Sequence, residues 1–150
     1  MAVYNIGRQG ITPNTGTDNW TLAGSASESA RVLAVSASGE VTTSAAMATR
    51  WARSTGQTGA TTSITAAKAH INSPAALIES ASSYATTQPT LDAGNLLVES
   101  WNAHGGIFYW HAGAPDEEWV LIGVATNVNI SCRNATGTST SSYTATWRED

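Results

Sequence analysis

The chain has 150 residues, and its 7 basic and 11 acidic side chains give a net charge of −4. Lys68 is the single lysine and the arginines are scattered, whereas binding to nucleic-acid phosphates needs several cationic side chains on one face. The length favours one domain over residues 1–150. No apolar run reaches the ~18 residues of a membrane span, and residues 1–10 have no signal-peptide pattern. We therefore expect no nucleic-acid partner, no membrane partner and no secretion.

Residues 1–18 are predicted to form an N-terminal arm and loop. Val3, Tyr4 and Ile6 make a short apolar start, which suits an edge strand or an arm that reaches a neighbouring protein. A segment rich in Pro, Asn, Gly and Thr follows and predicts a loop. Further along, alternation and turn residues predict strands over 19–23 and 30–37, with a short additional strand over 40–43.

The middle of the chain is the least regular part. Residues 44–54 alternate with a period of two, which predicts a strand with Met47 and Trp51 on one face, although the alanines leave a helix open. Residues 55–69 contain only Ile64 as a large apolar side chain and predict a long loop, a feature that is usually functional or disordered. Ser73-Pro74 is a helix-start signal, so residues 74–83 stay open between a short helix and a strand.

Residues 96–123 contain three apolar runs, at 96–103, 107–112 and 119–122. Short turns rich in Gly and Pro separate the runs, a pattern typical of an antiparallel meander. Two more alternating strands are predicted over 127–133 and 138–147. Together these elements predict an all-β fold, an antiparallel β-sandwich of jelly-roll type centred on the meander.

The aromatic residues are predicted to build the core. Large apolar side chains are few, so the six Trp residues are needed inside rather than as a platform on which sugars stack. Tyr109 and Trp110 are neighbours on one strand and must point to opposite faces, which places at least one of them near the surface. Cys132 continues the alternation of Val128 and Ile130, and a buried thiol is expected.

No residue set in the sequence predicts catalysis. His104 and His111 would lie roughly 23 Å apart on opposite faces of an extended strand, so they cannot share a metal ion. Residues 116–118 are acidic but lack the spaced oxygen ligands of a calcium loop, which favours a solvated turn. No serine lies in Gly-X-Ser-X-Gly. We expect no catalytic residue, no metal ion and no cofactor, and therefore no enzyme.

Short turn and strand elements along most of the chain resemble those of a known group of proteins. The elements are residues 30–34, 39–40, 43–44, 50–55, 87–91, 101–106 and 137–140. They resemble small cement or decoration proteins on the capsids of tailed bacteriophages, including cyanophages. The resemblance implies a β-sandwich that binds the outside of an icosahedral shell, often as a trimer, and clamps neighbouring capsomers.

The function expected from the sequence is therefore that of a virion structural protein. It would be made in the host cytoplasm, bind the major capsid protein as a homotrimer and lie on the capsid exterior. The arm, the long loop and two arginines supply the predicted contacts, since arginine is enriched at interfaces. The predicted contact residues are Tyr4, Arg8, Arg50, Arg53, Thr58 and Thr61. The alternative function is a carbohydrate- or receptor-binding head domain of a phage tail fibre.

Overall fold

A computed structural model of the chain describes residues 1–56, 58–124, 126 and 128–150, without the side chains of residues 58–61 and 82–86. The described residues form strands joined by turns and contain no helix. The all-β prediction is confirmed. In chain order the strands are β1 (Ala2–Ile11), β2 (Trp20–Ala23), β3 (Ser29–Gly39), β4 (Ala46–Thr55), β5 (Thr58–Ser63), β6 (Ala67–Lys68), β7 (Glu79–Thr87), β8 (Thr90–Asn102), β9 (Ile107–His111), β10 (Trp119–Ile122), β11 (Asn129–Thr136) and β12 (Ser141–Glu149).

The strands form two antiparallel sheets that pack face to face. In the first sheet the order is β10-β3-β12-β1-β6, and β9 also pairs with β3. In the second sheet the order is β5-β7-β2-β11-β4-β8. This arrangement confirms the predicted antiparallel β-sandwich, whereas its jelly-roll type stays a prediction.

The alternation of apolar and polar residues decides which face of each strand is buried. Trp51 on β4 and Trp20 on β2 both pair with Cys132 on β11, so the three side chains share the inner face of the second sheet. All three are completely buried. A buried Trp removes roughly 150–250 Å² from water, which contributes about 4–6 kcal/mol before the entropy cost of folding. A few large aromatic residues can therefore stabilise a chain that is otherwise rich in Ala, Ser and Thr.

The predicted meander over residues 96–123 is wrong. β8 pairs with β4 in the second sheet, whereas β9 and β10 both pair with β3 in the first. The turn before β9 therefore carries the chain from one sheet to the other. Because β9 pairs with residues 34–38 and β10 with residues 29–32, the two strands lie end to end along one edge of β3.

The predicted long loop over residues 55–69 is also wrong, and of the two alternatives for the start of the chain the structure has the strand rather than the arm. β5 and β6 lie within 55–69, where β5 pairs with β7 and β6 pairs with β1. Threonine favours strands, and the ladder hydrogen bonds come from the backbone, so a strand at a sheet edge does not need apolar side chains. Along most of its length β1 pairs with β12 and so belongs to the first sheet.

Three shorter segments were also left open or predicted differently. Residues 79–87 form β7 rather than the end of a helix, because Ser80 and Ala81 pair with Leu22 and Thr21 on β2. Residues 44–54, for which a helix was the alternative, contain β4. The short strand predicted over 40–43 does not form, and there the Val41 amide donates instead to the Ala103 carbonyl at 3.2 Å.

Candidate interaction surface

Tyr4 and Arg8, both predicted to contact a partner, are used inside the fold. Tyr4 is completely buried, and its hydroxyl donates to the Pro74 carbonyl at 3.1 Å. Arg8 on β1 donates through Nη1 to the Asn19 carbonyl at 2.8 Å, which links the first sheet to the start of β2 in the second. Tyr4 is therefore a core residue, and Arg8 joins the two sheets.

Arg53 has a similar internal role. It lies on β4 opposite Ile130, and its Nη1 donates to the carbonyls of Val120 and Val128 at 2.6 and 3.1 Å. Burial lowers the pKa of Arg53, as it does that of Arg8. Both side chains lose water and gain backbone acceptors in exchange. Arg53 thus ties the second sheet to β10 of the first.

Contacts by Arg50, Thr58 and Thr61 stay a prediction. Arg50 is half-buried on the outer face of the second sheet, opposite Arg133 on one side and Val98 on the other. Its Nε is buried and has no hydrogen-bond partner among the described residues. Thr58 and Thr61 lie on β5 at the edge of this sheet, and their side chains lie outside the described residues.

A cavity of about 650 Å³ opens where β1 begins and β12 ends. We call it the N-terminal cavity. This volume lies within the range of pockets that hold small ligands or side chains of a partner. Its lining is mostly apolar, with carboxylates at one side. The lining residues are Met1, Ala2, Val3, Tyr4, Glu28, Ala69, His70, Asn72, Ser73, Pro74, Ala75, Leu77, Glu149 and Asp150.

Large apolar side chains are exposed around this cavity. Met1 and Leu77 line it and are 84% and 60% exposed, and Ile71 is 88% exposed between two lining residues. Exposed apolar side chains that gather beside one cavity mark an interaction site more often than singly scattered ones do. The N-terminal cavity and this rim therefore form the candidate interaction surface.

Glu149 holds one wall of the cavity in place. Its carboxylate is nearly buried and accepts hydrogen bonds from the Leu77 and Ile78 amides at 3.0 Å. Trp147 Nε1 donates to the same carboxylate at 3.2 Å. Hydrogen bonds to an ionised acceptor are stronger than neutral ones. One side chain of β12 therefore fixes the segment that carries Leu77.

The carboxylates give the cavity an acidic side. Burial raises the pKa of Tyr4, and the negative charges of Glu149 and Glu28 raise it further. Asp150 is paired with Arg31, with 2.8 Å between Oδ2 and Nε. An acidic partner segment would be repelled at this side, so the surface fits an apolar segment that is neutral or cationic.

Buried polar residues on the outer face of the second sheet were missed by the sequence analysis. Residues 127–133 were predicted to keep one wet face, yet Ser131 is completely buried and Asn127 lies outside the described residues. Arg133 and Asp18 form an ion pair at 2.6 Å. Burial raises the pKa of Asp18, while Arg133 and the Ser131 and Thr21 hydroxyls oppose that rise. This cluster ties the segment before β2 to β11.

Asn134 is the centre of a second buried polar cluster. Its Oδ1 accepts hydrogen bonds from Asn19 Nδ2 at 3.0 Å, from the Tyr143 hydroxyl at 2.8 Å and from Thr49 Oγ1 at 3.3 Å. Cys132 beside it is completely buried, which confirms the predicted core thiol. Burial raises the pKa of this thiol well above its usual value, so the sulfur stays protonated.

The aromatic residues are distributed as predicted. Five of the six Trp residues are buried, and Trp110 is half-buried and stacked on Trp119, with 4.2 Å between ring centroids. Tyr109 on the opposite face of β9 is 61% exposed. The tryptophans therefore belong to the core, and Tyr109 is the aromatic side chain of β9 that is open to a ligand.

The acidic turn at residues 116–118 is only partly solvated, contrary to the prediction. Glu118 is nearly buried and pairs with Arg148 at 3.0 Å and with Arg31 at 3.6 Å. Glu117 accepts the Gly113 amide at 2.7 Å. Within the described residues no group of three or more His, Cys, Asp or Glu side chains could hold a metal ion. The same residues include no helix that is long and apolar enough to cross a bilayer.

Comparisons with protein families, with curated proteins and with solved structures found no match to this chain.

Proposed function

We propose that this chain is a virion structural protein that binds the outer surface of a capsid and stabilises the contacts between capsomers. The observation that supports this most is the N-terminal cavity with its exposed rim of Met1, Ile71 and Leu77. An apolar rim around a pre-formed cavity suits a protein surface as partner. The resemblance to decoration proteins named above points to the same kind of partner, the major capsid protein.

The rigid attachment of the cavity also supports a clamp. Arg8 and Arg53 join the two sheets, and Glu149 fixes the wall that carries Leu77. A clamp between capsomers must transmit force without deforming, and a pre-organised surface binds with a smaller entropy cost. We propose that a homotrimer presents three such cavities, with no cofactor and no catalytic residue involved.

The experiment is reconstitution on capsids that lack this chain, from the virus whose genome carries it. Bound protein is measured by sedimentation and gel densitometry for the wild type and for Leu77→Lys. Lysine replaces one of the three apolar rim side chains with a cation, and the fold should accept it because Leu77 is 60% exposed. We expect saturable binding by the wild type and at least a tenfold weaker affinity for Leu77→Lys.

Val124→Lys is the matched control, because Val124 is 71% exposed and does not line the N-terminal cavity. It should bind capsids like the wild type. Wild-type protein that does not sediment with capsids would refute the proposal. Equal binding by Leu77→Lys and the wild type would show that the N-terminal cavity is not the surface that binds the capsid. Light scattering on the purified chain tests the trimer separately.

The second candidate is a carbohydrate- or receptor-binding head domain of a tail fibre. One observation favours it: Tyr109 stands exposed on the outer face of the first sheet, beside strands that carry serine and threonine. Aromatic rings stack on the apolar faces of sugars, and neighbouring hydroxyls hydrogen-bond their polar edges. A capsid protein needs no such face.

A further inference from the structure

We infer that the outer face of the first sheet binds a neutral, polyhydroxylated chain such as an oligosaccharide; this deepens the second function proposed above and does not depend on capsid binding. The strand pairings place four residues in one row across the sheet: Tyr109, Ser36, Thr144 and Gly7. Residues paired directly across antiparallel strands point to the same face. The row therefore runs from an aromatic ring, across two hydroxyls, to a position with no side chain.

The neighbouring rows repeat this change in size. Ile107 pairs with Ser38, which pairs with Ser142, and His111 lies in the third row with its ring 5.9 Å from that of Tyr109. The large side chains of β9 thus form a wall, and the small side chains of β3 and β12 form a floor. With strands about 4.8 Å apart, Tyr109 and Gly7 are separated by three spacings, or about 14 Å. A ligand that touches both is an extended chain rather than one small ring.

The wall of β9 and the floor of β3 and β12 together form a trough. At its Gly7 end, the trough opens into a cavity of about 420 Å³. Its lining residues other than Gly7 carry polar side chains, and Gly7 forms part of the lining because no side chain fills that position. The lining residues are Gly7, Arg8, Gln9, Ser38, Glu40, Ser142 and Thr144. Hydroxyls and an amide can both donate to and accept from sugar hydroxyls, and a carboxylate accepts from them.

The charges of the cavity favour a neutral ligand. Glu40 is exposed and is held by hydrogen bonds from the Gly10 amide at 3.0 Å and from the Ser142 hydroxyl. Arg8 directs Nη1 to the Asn19 carbonyl instead. Arg8 lines the same cavity, so Arg8 and Glu40 give the lining one charge of each sign. A phosphate or sulfate ester therefore gains no net attraction from the lining, whereas the Glu40 carboxylate is a good acceptor for sugar hydroxyls.

The test uses a panel of neutral and sulfated oligosaccharides of three or more units, followed by calorimetric titration of those that bind. Two variants probe the two ends of the trough. Tyr109→Ala removes the exposed ring. Gly7→Thr fills the cavity, and the fold should accept it because a Cβ there approaches only Thr144 Cγ2, at 4.0 Å. We expect the wild type to bind a neutral oligosaccharide and each variant to bind at least tenfold more weakly.

Val98→Ala is the control, since Val98 is 46% exposed on the outer face of the other sheet, and it should bind like the wild type. Leu77→Lys should also bind sugars normally, which separates this site from capsid binding. No binding of any neutral oligosaccharide at millimolar concentration would overturn the inference. Preference for sulfated chains, or full affinity in both trough variants, would overturn it as well.

Discussion

Replacing Glu149 by alanine should weaken the fold and loosen the candidate interaction surface at the same time. The carboxylate accepts three donors: the Leu77 and Ile78 amides and Trp147 Nε1. A buried donor left without an acceptor costs about 1–3 kcal/mol. Residues 77 and 78 can move toward water, where their amides regain hydrogen bonds and part of this cost is recovered. We therefore expect Glu149→Ala to lower the free energy of unfolding by roughly 3–5 kcal/mol.

Glu149→Gln is the sharper variant because it keeps the shape and one acceptor oxygen. The new NH2 group is a donor and replaces an acceptor oxygen, so it faces another donor. The expected loss of unfolding free energy is about 1–2 kcal/mol. The measurement is equilibrium unfolding in urea followed by tryptophan fluorescence. Hydrogen exchange at the Leu77 and Ile78 amides reports the local opening, and it should accelerate in both variants.

Glu117→Ala is the control for this series. Glu117 is exposed and accepts a single amide, that of Gly113 at 2.7 Å, so the expected loss is about 0.5 kcal/mol or less. If the free energy of unfolding of Glu149→Ala lies within about 0.5 kcal/mol of the wild-type value, the carboxylate does not stabilise the cavity wall. Unchanged exchange at the two amides would lead to the same conclusion.

Three further predictions concern two turn glycines, the buried thiol and a buried tyrosine. Gly137→Ala should cost about 2–4 kcal/mol in thermal unfolding, because its φ of 85° is strained for alanine and a Cβ would lie 2.8 Å from the Ala46 carbonyl oxygen. Gly105→Ala, with φ 68° and nothing within 4 Å of a Cβ, should cost only about 1–2 kcal/mol in that assay. Cys132 should react with Ellman's reagent only on unfolding, since burial keeps the thiol neutral, and a fast reaction in the folded state would contradict this. Burial raises the pKa of Tyr143 from 10.0 to about 12, so the unfolded chain loses its phenolic proton first and stability should fall as pH rises between those values. Tyr143→Phe should flatten that fall in pH-dependent urea unfolding, and an equal slope in both proteins would count against it.

The fold class could be predicted because alternation reports which face of a strand is buried. Met47 and Trp51 share the core face of β4, and Cys132 continues the buried face of β11, as their spacing indicated. The connections between strands could not be predicted in the same way. A short glycine turn such as residues 104–106 can close a hairpin or carry the chain to the opposite sheet, and its sequence is the same in both cases.

The candidate surface was harder to predict than the fold. Arg8 and Arg53 carry no mark in the sequence that separates an arginine at an interface from one that hydrogen-bonds internal carbonyls. Glu149 lies in the charged sequence Arg148-Glu149-Asp150, which carries no mark of a buried acceptor, and segment 77–78 supplies two of its three donors only through the fold. The start of the chain lies in a paired strand rather than an arm, and a partner contact there stays a prediction, although Met1 and Val3 line the N-terminal cavity.

The pairing of β1 with β12 has a mechanical consequence. Ala2 lies opposite Glu149, so the first and last strands are antiparallel neighbours and both ends of the chain leave the sandwich at one point. A force that pulls these ends apart loads the ladder one hydrogen bond after another, as in opening a zipper. Load applied through the flat faces or the sheet edges acts on many hydrogen bonds together. Pulling by the termini should therefore unfold the domain at a much lower force than pulling across its faces.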